Sequence, residues 1–385
     1  MRALHLNSYR FSVSWPRIQP SGSGKPNPKG LDFYNRLVDA LLDAHIRPSL
    51  TLYHWDLPQA LEDAGGWPNR ELADRFADYA AIMARALGDR VETWTLLNEP
   101  AAFTSLGYLD GTHAPGRRSI FDFLRATHTA NLAQGAGFRA IKAERPKVRV
   151  GSVFSMSSCE PATDSEADRQ AAERAHAITN IWFLEPALRG RYPDAFSFNP
   201  AVFMKIQQDD MDRVRAPLDF IGINLYYRTV VSATTFSERF SDRRFLFLPA
   251  RMTPGQKGPK TDMGWEVWPR ALYEMAMRIT RDYDRPVLEI TESGCAYNDA
   301  PGPDGTVNDA RRVAYHQQYL TELSRAIHDG ADVRSYHVWS LLDNFEWAEG
   351  LSQRFGLVYV DYKTQKRTVK ASGAWYAKVA AQKGL

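Results

Sequence analysis

Two glutamates stand where short apolar runs of the sequence turn polar, Glu99 in TLLNEP and Glu292 in EITESG. If those runs are parallel strands of one barrel, their ends converge, and the two carboxyl groups can face each other across one pocket. A facing pair of carboxyl groups is suited to glycoside hydrolysis, because one acid protonates the leaving oxygen while the other attacks or activates water. Taken singly, Glu99 could also be a turn residue before Pro100, and Glu292 an acid near a helix N-terminus.

Further polar and aromatic residues end other apolar runs of the chain. A buried strand that turns polar only at its last residues presents those residues to a cleft. Placement at the same end of separate strands is typical of a barrel enzyme. The residues are His54, Trp55 and Asp56 in TLYHWDLP, Asn98 beside Glu99, Asn224 and Tyr226 in GINLYY, and Trp339, Glu346 and Trp347 in HVWSLLDNFEW.

Arg10 is a charged residue within an otherwise apolar run, where it alternates with Tyr9 and Phe11. A guanidinium inside a barrel needs a carboxylate partner, because an unpaired buried charge is very costly. We expect that partner to be Glu292, since the contact would hold the carboxylate ionised, as a nucleophile must be. The alternative is a salt bridge on the outer face of the barrel.

Strand-like and helical patterns alternate along the whole chain, which predicts an α/β fold with a parallel sheet and right-handed crossovers. The predicted strands are Ser8–Trp15, Pro48–His54, Glu92–Asn98, Val148–Phe154, Phe220–Leu225, Pro286–Thr291 and Val333–Trp339. The predicted helices, with apolar residues at i, i+3 and i+4, are Gly30–Ala44, Glu71–Leu87, Ile120–Glu144, Ala167–Leu188, Arg270–Tyr283 and Asp309–Asp329.

The architecture that we predict is a (β/α)₈ TIM barrel. A doubly wound sheet is less suitable, because no Gly-rich phosphate loop follows the first strand. No linker divides the chain, so we expect one catalytic barrel domain over residues 1–385. The longest irregular stretches, Val231–Met263 and Asn298–Asp309, follow predicted strands, as the active-site loops of a barrel do. Only seven strands are counted, whereas a closed barrel of this type needs eight.

Composition restricts the class of protein. Of the 385 residues 44% are apolar and the net charge is +3, which excludes intrinsic disorder. We find no apolar run of about 18 residues that would span a membrane, no signal peptide, and no basic block that would support nucleic-acid binding. The two cysteines, Cys159 and Cys295, exclude a disulfide scaffold and a zinc cluster. They favour a reducing compartment, most simply the cytoplasm, and we expect neither a metal nor another cofactor.

Aromatic residues make up 12% of the chain, and 10 of them are tryptophans. Flat apolar rings with a polar edge are suited to stacking on the C–H faces of a sugar ring. An aromatic-rich core would explain the same composition.

Long segments in order along the chain resemble glycoside hydrolase family one, the β-glucosidases and their relatives. The resemblance implies a (β/α)₈ barrel that hydrolyses β-glycosides with retention. It also implies that Glu99, in Asn-Glu-Pro, is the acid/base and Glu292 the nucleophile, although Ser293 stands where the family more often has Asn. The segments are YRFSVSWPRI, LTLYHWDLPQAL, WTLLNEP, PALRGRYP, DFIGINLYY, ITESGCAY and VWSLLDNFEWAEGLSQRFGLVYVDY.

The same resemblance implies which residues contact a bound sugar. We also expect Trp55, at the end of its predicted strand, to bind the substrate. The resemblance also implies a cis peptide bond between Trp339 and Ser340. The matched residues are Asn98 for the 2-hydroxyl, His54 and Trp347 for the 3-hydroxyl, Glu346 for the 4- and 6-hydroxyls, Trp339 as the platform under the ring, Tyr226 as the phenol that binds the nucleophile, Asn224 as its neighbour, and Phe355 and Trp265 in the outer pocket.

Two departures from the family change the expectations. Ala101 stands where many members carry a Trp that supports the leaving group, which affects aglycone preference. The opening MRALHLNSYRF matches the end of the family's first helix, so the first strand and its sugar-binding Gln have no counterpart here. We therefore expect two open strand edges, weak activity, low thermal stability and self-association through those edges.

Three other functions remain open on the sequence. A non-catalytic or weakly active sugar-binding relative is favoured by the absent strand and opposed by the two intact carboxylates. A transglycosylase shares every residue with the hydrolase and differs only in the acceptor. A phospho-β-glycosidase is disfavoured, because a 6-phosphate would lie beside the carboxylate of Glu346.

Overall fold

The computed structural model describes residues 1–235, 237–238 and 248–385. Within them the largest sheet has seven parallel strands that form a nearly closed barrel and pair in the order in which they follow one another along the chain. The count of seven that the sequence predicts is therefore confirmed, and each predicted strand lies where it was expected. The strands are β1 (Ser8–Ser12), β2 (Arg47–Tyr53), β3 (Thr93–Asn98), β4 (Arg149–Ser155), β6 (Phe220–Asn224), β9 (Leu288–Ser293) and β10 (Val333–Val338).

Helices follow the strands and cover the outside of the barrel. Their bounds are α1 (Trp15–Ile18), α2 (Pro28–Asp43), α3 (Gln59–Asp63), α4 (Leu72–Leu87), α5 (Pro100–Thr104), α6 (Ile120–Glu144), α7 (Glu166–His176), α8 (Leu184–Arg189), α9 (Ala201–Met204), α10 (Asp210–Arg213), α11 (Arg270–Asp282), α12 (Ala310–His328) and α13 (Ala371–Gln382). Single turns of other helix types span Arg2–Leu4, Ser105–Leu109, Ala177–Ile181 and Trp347–Glu349.

The continuous helix predicted over Ala167–Leu188 is wrong. The structure ends α7 at His176, inserts a π turn over Ala177–Ile181 and begins α8 at Leu184. Asn180 explains the interruption in part, because its side chain bonds the backbone N–H and C=O of Ser157. Pro186 explains the rest, since its ring excludes the carbonyl of a helical residue four positions earlier.

The stretch Val231–Met263, predicted to be irregular, contains regular structure in its described part. Strands β5 (Ser158–Pro161), β7 (Arg228–Ala233) and β8 (Ala250–Pro254) form a small sheet in which β7 is central. Residues 236 and 239–247 of that stretch lie outside the described residues. A two-stranded antiparallel sheet, β11 (Val358–Val360) with β12 (Arg367–Val369), follows the barrel.

Strands β1 and β10 are the two ends of the barrel sheet, and no described strand pairs with their outer edges. The side chains of β9 are buried throughout, whereas most of those of β1 and β10 are only half-buried. One polar contact crosses the gap, between Ser8 Oγ and His337 Nε2 at 3.2 Å. A cleft of about 1660 Å³ opens there and reaches Arg10, His54 and Trp339.

The tryptophans divide between the core and the mouth of the barrel. Trp15, Trp67, Trp94 and Trp182 are almost completely buried in the hydrophobic core. The aromatic-rich core therefore accounts for part of the composition, and a second group of aromatic rings lies at the carboxyl ends of the strands, as described next.

Candidate active site

The two glutamates lie at the carboxyl ends of β3 and β9. Glu292 is the fifth residue of β9, and Glu99 directly follows β3 as the residue before α5. Glu99 adopts a left-handed conformation with φ +49°, which turns the chain between strand and helix, and Pro100 begins the helix. Both residues are buried, with 7% and 4% of their surface exposed.

Glu292 has a hydrogen-bond donor on each carboxyl oxygen. Arg10 Nη1 lies 2.6 Å from Oε1, and the hydroxyl of Tyr226 donates to Oε2 at 2.6 Å. The other amino group of Arg10 donates to Asn98 Oδ1 at 2.6 Å. A guanidinium on one oxygen and a phenol on the other form the environment of a carboxylate anion. Arg10 thus lies inside the barrel rather than on its outer face.

Glu99 has the opposite environment. Its described hydrogen-bond partner is the amide of Asn224, whose Nδ2 donates at 2.7 Å. Burial raises the pKa of Glu99 well above its ordinary value, and the negative charge of Glu292 raises it further against the opposing effects of Asn224 and Arg10. Glu99 therefore retains its proton near neutral pH while Glu292 faces a cation.

A chain of hydrogen bonds fixes His54, which follows β2. The Asn98 amide donates to Nε2 across 3.1 Å, and Nδ1 lies 3.0 Å from Ser12 Oγ. Because Asn98 Oδ1 already accepts from Arg10, its amino group points toward the histidine, and the ring proton resides on Nδ1. Burial and the charge of Arg10 lower the pKa of His54 to about 3, which keeps the ring neutral.

Aromatic rings form one wall of the pocket around His54. Its ring centroid lies 6.0 Å from Trp339 and 5.9 Å from Trp347, and the rings of Trp55 and Trp347 are 4.6 Å apart. The indole nitrogen of Trp55 donates to the backbone carbonyl of Asn98 at 2.9 Å, which links this wall to β3. The peptide bond between Trp339 and Ser340 is cis, as predicted.

Glu346 lies at the same side of the pocket. The indole nitrogen of Trp339 is 3.5 Å from its carboxylate. Burial raises the pKa of Glu346 to about 7, with a smaller contribution from Glu292 and against the effect of the Trp339 bond.

The outer aromatic residues pack around Tyr226. Trp265 contacts Tyr226 at 5.3 Å and Phe355 at 6.0 Å between ring centroids. Tyr227 also packs on Trp265, at 5.3 Å. Ala101 is in the first turn of α5, directly beyond the acid Glu99, and places only a methyl group there.

The structure brings the predicted strand-end residues together at one end of the barrel and places beside them several residues that the sequence analysis does not name. Ser12 could have been found, because it continues the inward alternation that begins at Arg10. Tyr227 directly follows Tyr226, and this position is the only feature of the sequence that could have indicated it. His113 stacks 5.5 Å from Trp55 and 6.2 Å from Trp347, and it comes from a loop in which no strand pattern marks it.

In the parts of the chain that the structure describes, no group of three or more His, Cys, Asp or Glu side chains could hold a metal ion. Among the described helices none is long and apolar enough to cross a membrane.

Comparisons with known proteins agree on one family. The model of glycosyl hydrolase family 1 matches residues 1–385. A β-glucosidase A of Thermotoga maritima is 43% identical over 388 residues, a match that covers 99% of this chain and 84% of that protein. A 1,4-β-D-glucan glucohydrolase of Thermotoga neapolitana is 42% identical, with 98% and 83% covered. The structure of a β-glucosidase from Thermotoga maritima in complex with deoxynojirimycin superposes with a TM-score of 0.93 at 41% identity, over 100% of this chain and 85% of the other.

Proposed function

Because the chain belongs to glycosyl hydrolase family 1, we propose that it removes single sugars from non-phosphorylated β-glucosides, with β-galactosides as a second substrate class, and that it retains the anomeric configuration. The observation that carries the proposal is the contrast between the two buried carboxyl groups. Glu292 accepts hydrogen bonds from Arg10 and Tyr226, whereas burial and the charge of Glu292 favour the protonated form of Glu99. This division supplies a nucleophile and an acid in one pocket.

The reaction that these residues support has two displacements. In the first, a carboxylate oxygen of Glu292 attacks the anomeric carbon while Glu99 gives its proton to the glycosidic oxygen, so the leaving alcohol departs neutral. The ester that forms removes the negative charge of Glu292, and the pKa of Glu99 falls. Glu99 then takes a proton from water, whose oxygen displaces Glu292 and releases the sugar with its original configuration.

Polar residues around the pocket match the hydroxyl groups of a hexose. In this proposal Asn98 binds the 2-hydroxyl, His54 and Trp347 bind the 3-hydroxyl, and Glu346 accepts from the 4- and 6-hydroxyls. In the sugar-free structure both ring nitrogens of His54 are engaged, Nε2 by Asn98 and Nδ1 by Ser12, so the 3-hydroxyl takes the place of the Asn98 amide at Nε2 when sugar binds. Trp339 provides the apolar platform under the ring.

The outer pocket determines which leaving groups the enzyme accepts. Trp265 and Phe355 provide apolar walls, and Ala101 leaves open the space that a larger side chain would fill. We propose that this space admits bulky or branched aglycones. It does not favour one acceptor over water, so transglycosylation remains an accompanying reaction of the same intermediate.

The experiment that tests the hydrolase is the cleavage of 4-nitrophenyl β-glucoside, followed by proton NMR of the first sugar formed. We expect β-glucose before mutarotation, because two inversions restore the configuration. The 6-phosphorylated glucoside is the matched comparison, and it should react far more slowly, since its phosphate would lie beside Glu346. First release of α-glucose, or preference for the phosphorylated substrate, would contradict the proposal.

Weak activity is part of the proposal. The cleft between β1 and β10 reaches Arg10, His54 and Trp339, so water has a second path to groups that bind the sugar and the nucleophile. A sugar-binding protein with little turnover is the second candidate, and this cleft is the observation that favours it. The same NMR experiment separates the two, because a pure binding protein releases no glucose.

We propose that a second copy of the chain associates at the open edges of β1 and β10. Those edges carry unpaired backbone groups, which pair readily with other strands. Sedimentation velocity over a concentration series should show association that Asn7→Lys, at an exposed position beside the open edge of β1, reduces, because a charge on an edge strand opposes pairing. Thr364→Lys, at an exposed position beyond β11, is the control. A monomer at every concentration would contradict this proposal.

The two cysteines of the chain bear on the cellular compartment of the protein. Cys159 and Cys295 are both free thiols. Two unpaired cysteines are compatible with a reducing environment, and we propose the cytoplasm.

A further inference from the structure

Asp343 is a fully buried aspartate between β10 and the residues proposed to bind the sugar hydroxyls. It lies three positions before Glu346 and four before Trp347. Both carboxyl oxygens are used by donors from a later part of the chain. The donors are Lys370 Nζ at 2.8 Å, Gly356 N–H at 2.9 Å, Arg354 Nη1 at 2.7 Å and Val360 N–H at 3.4 Å.

Lys370 is the fully buried cation of this group. It lies between β12 and α13, and its backbone N–H donates to the carbonyl of Leu357 at 3.0 Å. A lysine is almost never fully buried unless its charge is paired, and its described ion-pair partner is Asp343. Burial and the nearby charge of Arg312 lower the pKa of Lys370 to about 8, so the ammonium form prevails below that pH.

The returning chain is packed tightly on Asp343. A Cβ atom at Gly356 would come within 2.2 Å of the backbone nitrogen of Asp343, so only glycine allows this approach. Beyond Asp343 the chain runs toward the pocket, and its contacts become local. The amide of Asn344 bonds Ser340 and Leu342, Phe345 is 61% exposed, and the backbone of Glu346 is held within one turn, with its N–H donating to Gly350 at 2.7 Å and its carbonyl accepting from Glu349 at 2.8 Å.

Asp343 is thus the last fully buried polar anchor before the segment that carries Glu346 and Trp347. We propose that Asp343 and Lys370 are positioning residues, which hold this segment so that Glu346 meets the 6-hydroxymethyl group of the sugar. The inference rests on the proposed function, because it assigns a task within the same pocket. Neither residue touches the sugar, so their effect must appear through Glu346.

A pair that only stabilises the fold would lower activity toward every substrate alike. A pair that positions Glu346 lowers activity most for the substrate that makes the most hydroxyl contacts to Glu346. A β-xyloside lacks the 6-hydroxymethyl group of a β-glucoside and is otherwise the same. The ratio of kcat/KM for the two substrates, measured on one preparation, is independent of the fraction of folded enzyme.

The test compares 4-nitrophenyl β-glucoside with 4-nitrophenyl β-xyloside at pH 7.5, between the pKa of about 7 of Glu346 and that of about 8 of Lys370, so that the carboxylate of Glu346 and the ammonium of Lys370 both prevail. We expect Lys370→Met and Asp343→Asn each to lower the glucoside-to-xyloside ratio by about 10-fold, which corresponds to one lost hydrogen bond to a charged group. Lys366→Met, at an exposed position in the β11–β12 turn, should leave the ratio unchanged.

An unchanged ratio in a variant that still hydrolyses both substrates would overturn the inference. If both variants fail to fold, Arg354→Gln applies the same test, because Arg354 reaches solvent and Asp343 keeps Lys370. A wild-type protein that hydrolyses neither substrate would instead refute the proposed function, so the two failures are distinguishable.

Discussion

Replacing Glu292 by Gln is expected to lower kcat for 4-nitrophenyl β-glucoside by at least about 10⁴-fold, because an amide is a far poorer nucleophile than a carboxylate. The shape of the side chain is kept, so Tyr226 and Arg10 remain in contact with it. The change should therefore act on the chemical step rather than on sugar binding. Steady-state kinetics together with the binding of a non-hydrolysable glucose analogue would measure the two separately.

Glu289→Gln is the matched control for this prediction. Glu289 lies on the same strand, is also buried and also pairs with an arginine, Arg149, at 2.8 Å. Its loss tests whether breaking a buried ion pair of β9 is enough to stop turnover. If Glu292→Gln kept more than a few per cent of wild-type activity, Glu292 would be removed from the mechanism.

Replacing Glu99 by Gln is expected to lower kcat/KM by about 10²–10⁴-fold for an alkyl β-glucoside, whose leaving alcohol needs a proton. The loss should be much smaller for 2,4-dinitrophenyl β-glucoside, because that leaving group departs as a stable anion. Comparison of the two substrates in the same variant isolates proton donation. Equal losses on both would indicate that Glu99 has another task.

The pH profile gives the sign of the Glu99 effect. The protonated form is the active acid, so kcat/KM for the alkyl glucoside falls as pH rises through the pKa of Glu99. Burial and the charge of Glu292 raise that pKa, which moves this limb from the ordinary range near 4.5 toward neutral or alkaline pH. The limb should disappear in Glu99→Gln, since glutamine does not titrate. A limb that persists would belong to another group.

The barrel strands could be predicted because their patterns are local. Runs such as Phe220–Ile223 contain no polar side chain, as a strand buried on both faces requires. The helix predicted over Ala167–Leu188 fails in part because its interruption depends on the bond between Asn180 and Ser157, which are far apart in sequence, and in part because Pro186, a local helix-breaking residue, lies within the predicted range. Strands β7 and β8 were missed for a similar reason, since each is defined by its pairing with the other.

The site could be predicted as a set of strand-end residues but not as a network. The pairing of Arg10 with Glu292 follows from the cost of a buried charge, and the sequence supplies that argument. The pairing of Asp343 with Lys370 does not follow, because several charged residues near the C-terminus are equivalent in sequence and only the fold buries these two. The partner of Asn224 could not be predicted from the sequence either, because only the three-dimensional arrangement places its amide against Glu99 and not against Glu292.

The central claim is that Glu292 carries the sugar during turnover. The most direct measurement is mass spectrometry of the protein after incubation with 2,4-dinitrophenyl 2-deoxy-2-fluoro-β-glucoside, whose fluorine slows release of the glycosyl group more than its formation. We predict one fluoroglucosyl group per chain, recovered on the peptide that contains Glu292, with return of activity when the ester hydrolyses. Intact protein without added mass while the substrate is turned over, or a label on another residue, would contradict the account.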